Sequence, residues 1–172
     1  MQKRNKLTID PSRIKISLLF AVVIIIADQM SKYLIRTGVG KFEVISVIDG
    51  LFQIVYAKNT GVAFGFLSTL NPSIINPILS LLNIAIMIFL CLIVLIEDLS
   101  LWTRTGFGLI LGGAAGNLID RLLLGFVVDF LDFYVGKAHW PAFNVADAAI
   151  TLGVILLIAD QLFGGGGRKV TA

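Results

Sequence analysis

Polar and apolar residues alternate along this chain on two different scales. Four long runs are almost wholly apolar: residues 14–35 ("IKISLLFAVVIIIADQMSKYLI"), 75–96, 105–124 and 145–163. Each is long enough for a helix to cross a bilayer, which needs about 20 mainly apolar residues. The stretch between the first two runs, 36–74, behaves differently. Its "KFEVISVIDGLFQIVYAKNTGVAFGF" mixes β-branched and aromatic residues with short polar breaks, and Asp49-Gly50 is a hairpin-turn signal between two such strands. Residues 125–144 form a second connector. Pro72 and Pro77, with Asn71 before them, mark the start of the second helix. "GGGG" at 164–167 ends the fourth and begins a flexible tail. No internal repeat is visible.

The pattern predicts a mainly α membrane protein. Its four transmembrane helices carry a small extracytoplasmic β-sheet between helices 1 and 2, within one integral membrane domain over residues 1–172. The sheet is expected to lie on the outer membrane face, its apolar side on lipid or over a site. The first run is a retained helix rather than a cleaved signal peptide, because it ends in "ADQMSKYLI" without a small-residue cleavage site.

Composition supports this picture. Hydrophobic residues make up 57% of the chain and charged residues only 15%, with mean hydropathy +0.92; soluble domains carry about 25% charged residues. The single cysteine, Cys91, excludes an internal disulfide and reads as a small buried hydrophobe. The net charge of +3 is modest. Lys3, Arg4, Lys6, Arg13 and Lys15 bunch at the N-terminus, with Arg168 and Lys169 in the tail, which places both termini in the cytoplasm rather than suggesting a nucleic-acid partner. Lys41 and Lys58 in the first loop run against that assignment, and the second loop offers only Arg104.

Ionisable residues inside such spans are costly and normally face protein or a water-filled cavity. Here they gather at one depth. Asp28 and Lys32 form an (i, i+4) pair late in the first run. Asn117, Asp120 and Arg121 close the third, and Asn144 and Asp147 open the fourth, three residues apart on one helix face. Asp129 and Asp132 lie between. With the N-terminus inside, all of them fall near the outer leaflet, whereas Asp160 lies at the other end. Gly112 and Gly116 form a small-xxx-small pattern, a helix-packing signal.

Most catalytic inventories are excluded. There is one histidine, His139, no HExxH, no G-x-S-x-G, no phosphate-binding loop and no metal-ligand cluster. His139 in "KAHWPAF" reads as an interfacial surface residue. Carboxylates remain. Two aspartates sharing a site divide one proton between them and act together as acid and base on a water, without metal or cofactor. Asp129 and Asp147 are the favoured pair from their placement. Asp120 reads as an ion pair with its neighbour Arg121. Asp132 shares a face with Asp129 if the segment is helical and points the opposite way if it is a strand. A proton or cation relay is the competing class, disfavoured by the missing repeat and the off-centre depth. A scaffold protein gives no reason for so many buried polar groups.

"ADQMSKYLI" (27–35), "KNTGVAFGF" (58–66), "GGAAGNLIDRLLLGFVVDFLDF" (112–133) and "PAFNVADAAITLGVILL" (141–157) together resemble the lipoprotein signal peptidases, also called signal peptidase II. The resemblance runs in order over most of the chain. It implies an aspartic endopeptidase of the bacterial cytoplasmic membrane that removes the signal peptide of prolipoproteins just before a diacylglyceryl-modified cysteine. It also implies contact with membrane lipids and inhibition by globomycin. It makes Asp129 and Asp147 the catalytic residues. Asn59, Gly61, Asn117, Asp120, Arg121 and Asn144 become substrate-binding or supporting residues, and Asp28 and Lys32 structural polar ones. The family fold adds an external sheet and a connecting helix or loop over the site.

Overall fold

The computed structural model describes residues 11–40, 43–61 and 72–163. A short 3-10 turn, Pro11–Ile14, leads into α1 (Lys15–Gly38). Strands β1 (Ile45–Ile48) and β2 (Phe52–Asn59) follow, then α2 (Pro72–Ile96) and α3 (Leu101–Leu124). Strands β3 (Val127–Val135) and β4 (Ala138–His139) precede α4 (Val145–Phe163). All four α-helices are long and apolar enough to cross a membrane. The four apolar runs fall on them, with α3 starting earlier than its run because Ser100 caps it: the Ser100 hydroxyl accepts the Thr103 N–H at 3.0 Å. Pro72 opens α2 and Pro77 lies inside it.

Helix α3 is the centre of the bundle, 56% buried over its membrane-length window against 17% for each of the others. Glycine makes this possible. A Cβ at Gly112 would come within 2.8 Å of the Ala21 carbonyl on α1, and one at Gly106 within 2.9 Å of the Gly153 carbonyl on α4. Two faces of α3 therefore admit neighbouring backbones at close range. Helix α2 packs on α3 by ordinary side-chain contact, with Leu90 and Val94 joining Phe107, Ile110 and Leu111. The outward faces present Leu19, Val22, Ile26, Phe89 and Leu152, all exposed, as suits a surface solvated by acyl chains.

The sheet is antiparallel, in the order β1-β2-β3-β4. Its first hairpin turns at Asp49-Gly50, where Gly50 takes φ +79°. The connector at 125–144, left open between helix and strand by its sequence, supplies the other two strands. "VVDFLDFYV" is β-branched and aromatic, and Gly125, at φ +79°, ends α3 and turns the chain into β3. Ile54 pairs with Leu131 and Ala57 with Asp129, three steps on β2 against two on β3, so β2 carries a one-residue bulge. Val128 and Phe130 pack against Ile35, fastening the sheet to the last turn of α1. The sheet thus sits where α1 and α3 end and α4 begins, the level at which the polar residues gather.

Candidate active site

Each candidate side chain is delivered by a local motif. Asn144 precedes α4, and its side-chain oxygen accepts the Asp147 N–H at 3.0 Å, while the Asp147 carboxylate accepts the Asn144 N–H at 3.3 Å. This reciprocal arrangement is a capping box. The three-residue spacing of Asn144 and Asp147 is therefore a cap as well as a shared face, and it turns the Asp147 carboxylate back to the start of α4, within reach of Asn117. Asp129 projects from the buried first half of β3. Asn59 ends β2, one step diagonal to Asp129 across the ladder, and its amide donates to Asp129 Oδ2 at 2.9 Å. Gly61 holds Asn59 in turn: its N–H donates to Asn59 Oδ1 at 2.8 Å. Gly61 has φ +98°, which favours glycine, and a Cβ there would lie 2.5 Å from the tip of the Leu79 side chain of α2, which would have to move.

Three asparagines then surround the two carboxylates with donors. Asn144 Nδ2 lies 2.6 Å from Asp129 Oδ1, and Asn117 Nδ2 lies 2.8 Å from Asp147 Oδ1. Their orientations follow from groups that can only donate. The Gly61 N–H fixes the oxygen of Asn59, the Asp147 N–H that of Asn144, and the Lys32 ammonium, 3.0 Å from Asn117 Oδ1, that of Asn117. Each NH2 is left facing a carboxylate. Burial pushes Asp129 up from the ordinary value of 3.8 to about 6, and the charge of Asp147 pushes the same way; the amides of Asn59 and Asn144 oppose them. Asp129 and Asp147, from separate elements, are thus near enough to feel one another, and a carboxyl titrating near 6 is suited to holding or releasing a proton around neutrality.

Behind the pair lies a buried ion cluster. Lys32 Nζ is 2.9 Å from Asp28 and 3.2 Å from Asp120, and all three side chains are almost fully buried. The ion pair expected between Asp120 and Arg121 forms with Lys32 instead, since successive helix residues point about 100° apart. Arg121 donates to the Asn117 carbonyl at 3.4 Å and adds a positive charge beside Asp147, Asp129 and Asp120. Sequence reasoning missed Gln29, whose amide reaches Asp28, Asp120 and the Gly116 carbonyl, all at 3.1 Å. The signal was its place beside Asp28 in an otherwise apolar run.

Asp132 is on a strand and faces away from the pair. It accepts from Gln53 at 2.7 Å, directly across the ladder, and meets His139 Nδ1 at 2.9 Å. His139 also stacks on Tyr134, so it belongs to the sheet rather than to a loop. Gln53 too was missed; only the β2–β3 register reveals it. Cys91 is partly buried at the α2–α3 contact. Asp160 accepts from Ser100 and Thr103 at the opposite end of the bundle, apart from the cluster. Among the described residues no group of three or more His, Cys, Asp or Glu is set to hold a metal ion. Residues 62–66 of the "KNTGVAFGF" motif and the tail at 164–167 lie outside the described residues.

Comparison with known proteins places the chain in a family. The family model described as signal peptidase (SPase) II matches residues 20–163. A lipoprotein signal peptidase of Syntrophus aciditrophicus (strain SB) is 38% identical over 148 residues, covering 84% of this chain and 91% of that protein. One from Francisella tularensis subsp. novicida (strain U112) is 42% identical over 149 residues, covering 84% and 90%. A solved bacterial membrane enzyme, determined by the in meso method at 2.3 Å, superposes with a TM-score of 0.75 at 34% identity, covering 91% of this chain and 93% of that one. The chain belongs to the signal peptidase II family.

Proposed function

We propose that this chain cleaves the signal peptide from diacylglyceryl-modified prolipoproteins, just before the lipidated cysteine, with Asp129 and Asp147 as the catalytic pair. The observation that carries the reading is the convergence of these two carboxylates. β3 and the α4 cap bring them to one buried site, oriented amides surround both, and Asp129 titrates near 6. Family membership supplies the substrate class.

In the mechanism, one proton is shared by the pair. The ionised carboxylate takes a proton from water as the water oxygen bonds to the scissile carbonyl carbon. The protonated partner hydrogen-bonds the carbonyl oxygen. Collapse of the tetrahedral intermediate breaks the C–N bond, and a proton passes to the leaving amine. Asn59, Asn117 and Asn144 keep the carboxylates in place, and Arg121 offers its charge to the substrate backbone. The lipid-bearing substrate enters sideways from the outer leaflet of the bacterial cytoplasmic membrane, with both termini of the enzyme on the cytoplasmic side. An apolar groove of about 320 Å³ between α2 and α3 runs along Ile84, Met87, Ile88, Cys91, Leu92 and Leu118. It suits an acyl chain, and Leu118 adjoins Asn117. Globomycin competes for the same site in this reading.

The test is release of the signal peptide from a purified diacylglyceryl-modified precursor in detergent or liposomes. Asp129→Asn and Asp147→Asn each lose turnover while remaining folded. Near wild-type turnover in either would reject the pair. Ion flux through the purified protein in liposomes, without cleavage, would reject the enzyme reading.

A further inference from the structure

The buried ions Asp28, Lys32 and Asp120 do more than satisfy one another. The Asp28 carboxylate accepts the backbone N–H of Ala146 at 3.0 Å, and the Asp120 carboxylate accepts that of Val128 at 2.9 Å. Ala146 immediately precedes Asp147, and Val128 immediately precedes Asp129. Each buried carboxylate therefore holds the backbone N–H of the residue just before one member of the candidate pair. Lys32 lies between the two grips and also sets the amide of Asn117, the donor to Asp147. Gln29 cross-links the two carboxylates from the other side. Gly116 leaves the room for this: a Cβ there would fall 2.5 Å from Asp28 Oδ2.

We infer that Asp28, Lys32 and Asp120 form a positioning clamp that fixes the separation and the shared proton of Asp129 and Asp147. The inference rests on the reading of those two as the catalytic pair. A scaffold alone needs no such arrangement, because apolar residues of similar volume hold helices together at least as well as buried ions. What the ions add is direction and charge. Carboxylates are strong, oriented acceptors for backbone N–H groups, and their net charge acts on the pair at short range. The charge of Lys32 reaches Asp129, where it favours the ionised form.

Among the described residues, the charges facing the pair are Asp28 and Lys32 from α1, and Asp120 and Arg121 from α3. Lys58 on β2 lies over the Phe126 ring, and Asp132 and His139 occupy the opposite face of the sheet. Removing a negative charge from the clamp favours ionisation of the pair; removing the positive charge opposes it. Asp120→Asn is thus expected to move the pH profile of signal-peptide release to lower pH by about one unit, and Lys32→Met to move it higher by a similar amount. The double variant returns toward wild type. In each single variant kcat falls at least about tenfold while KM changes less than about threefold, because the clamp holds the neighbours of the catalytic residues and not the substrate.

Lys32→Met leaves two buried carboxylates without their cation and can unfold the protein. Asp120→Asn, which keeps the shape and removes one charge, then carries the test alone. A pH profile that overlays wild type in a folded Asp120→Asn enzyme, or a loss confined to thermal stability, would overturn the clamp. Asp129→Asn and Asp147→Asn separate this from failure of the catalytic reading. If they are inactive and the clamp variants keep an unshifted profile, only the clamp is wrong.

Discussion

The two faces of β3 treat the same residue type in opposite ways. Asp129 and Asp132 are three residues apart and nearly equally inaccessible, 2% and 7% exposed, so burial does not distinguish them. Their neighbours do. Asp129 faces the helices, where it meets amide donors from Asn59 and Asn144 and a second carboxylate, Asp147. Asp132 faces the other way, where Gln53 and an imidazole, His139, meet it directly. A carboxylate whose partners are neutral donors and a like charge is left with an unsettled proton. One with a basic partner in contact is a structural link. Reactivity follows from which groups the fold brings to a face, more than from how deeply the face is buried.

The largest expected effect breaks the comparison if it fails. Asp129→Asn is expected to lower kcat for signal-peptide release by about 10²–10⁴-fold, the range for removing a positioned acid or base, with Asp147→Asn similar. Next comes Asn144→Ala, which removes the cap of α4 and the shortest donor to Asp129. Turnover is expected to fall by up to about 100-fold through misplacement of both aspartates, and stability by about 1 kcal/mol through the lost cap. Activity loss without any change in unfolding temperature would mean that the cap contributes nothing to the fold.

A subtler effect is the pH dependence of stability. Asp129 holds its proton more tightly folded than unfolded, so its contribution is complete below about 3.8 and is lost as the pH rises through about 6. Compared with Asp129→Asn, the wild type therefore loses unfolding temperature between about pH 4 and pH 6. Parallel curves for the two proteins across that window would show that Asp129 keeps its ordinary acidity. The smallest effect belongs to the other face. Asp132→Asn is expected to retain turnover within about twofold and to lower stability by no more than roughly 1 kcal/mol, as for a partly exposed ion pair. Complete loss of cleavage would erase the distinction between the faces.

Particular residues show where the sequence was legible. The apolar runs announce the four helices because a lipid-facing helix must be apolar along its length. Asp49-Gly50 announces the hairpin because a two-residue turn demands that chemistry. The pairing of Asp28 with Lys32 is readable because four residues make one helical turn. The segment 127–135 resisted for a definite reason. Its buried residues Val127, Val128, Asp129 and Phe130 show no alternation, since both sides of this half of the strand are covered: Val128 and Phe130 pack against Ile35 of α1, while Asp129 meets Asn144 beside α4. Without alternation neither period is visible, so the side on which Asp132 points stayed open. The motif resemblance separated Asp129 and Asp147 from the other aspartates; spacing alone did not.

The sequence by itself determined the membrane-spanning elements, the hairpin, and the set of polar residues from which a site had to be built. Those are consequences of local periodicity and turn chemistry, which act over a few residues. Only the tertiary structure decided the partners. The N–H of Ala146 finds Asp28 across 118 positions, the Lys32 ammonium finds Asn117 across 85, and Asn59 finds Asp129 across 70. No local preference encodes such pairings. They are selected because a donor or acceptor buried in an apolar bundle without a partner costs more than almost any packing it displaces, so the elements settle where Asp28, Lys32, Asp120 and Asp129 each find partners.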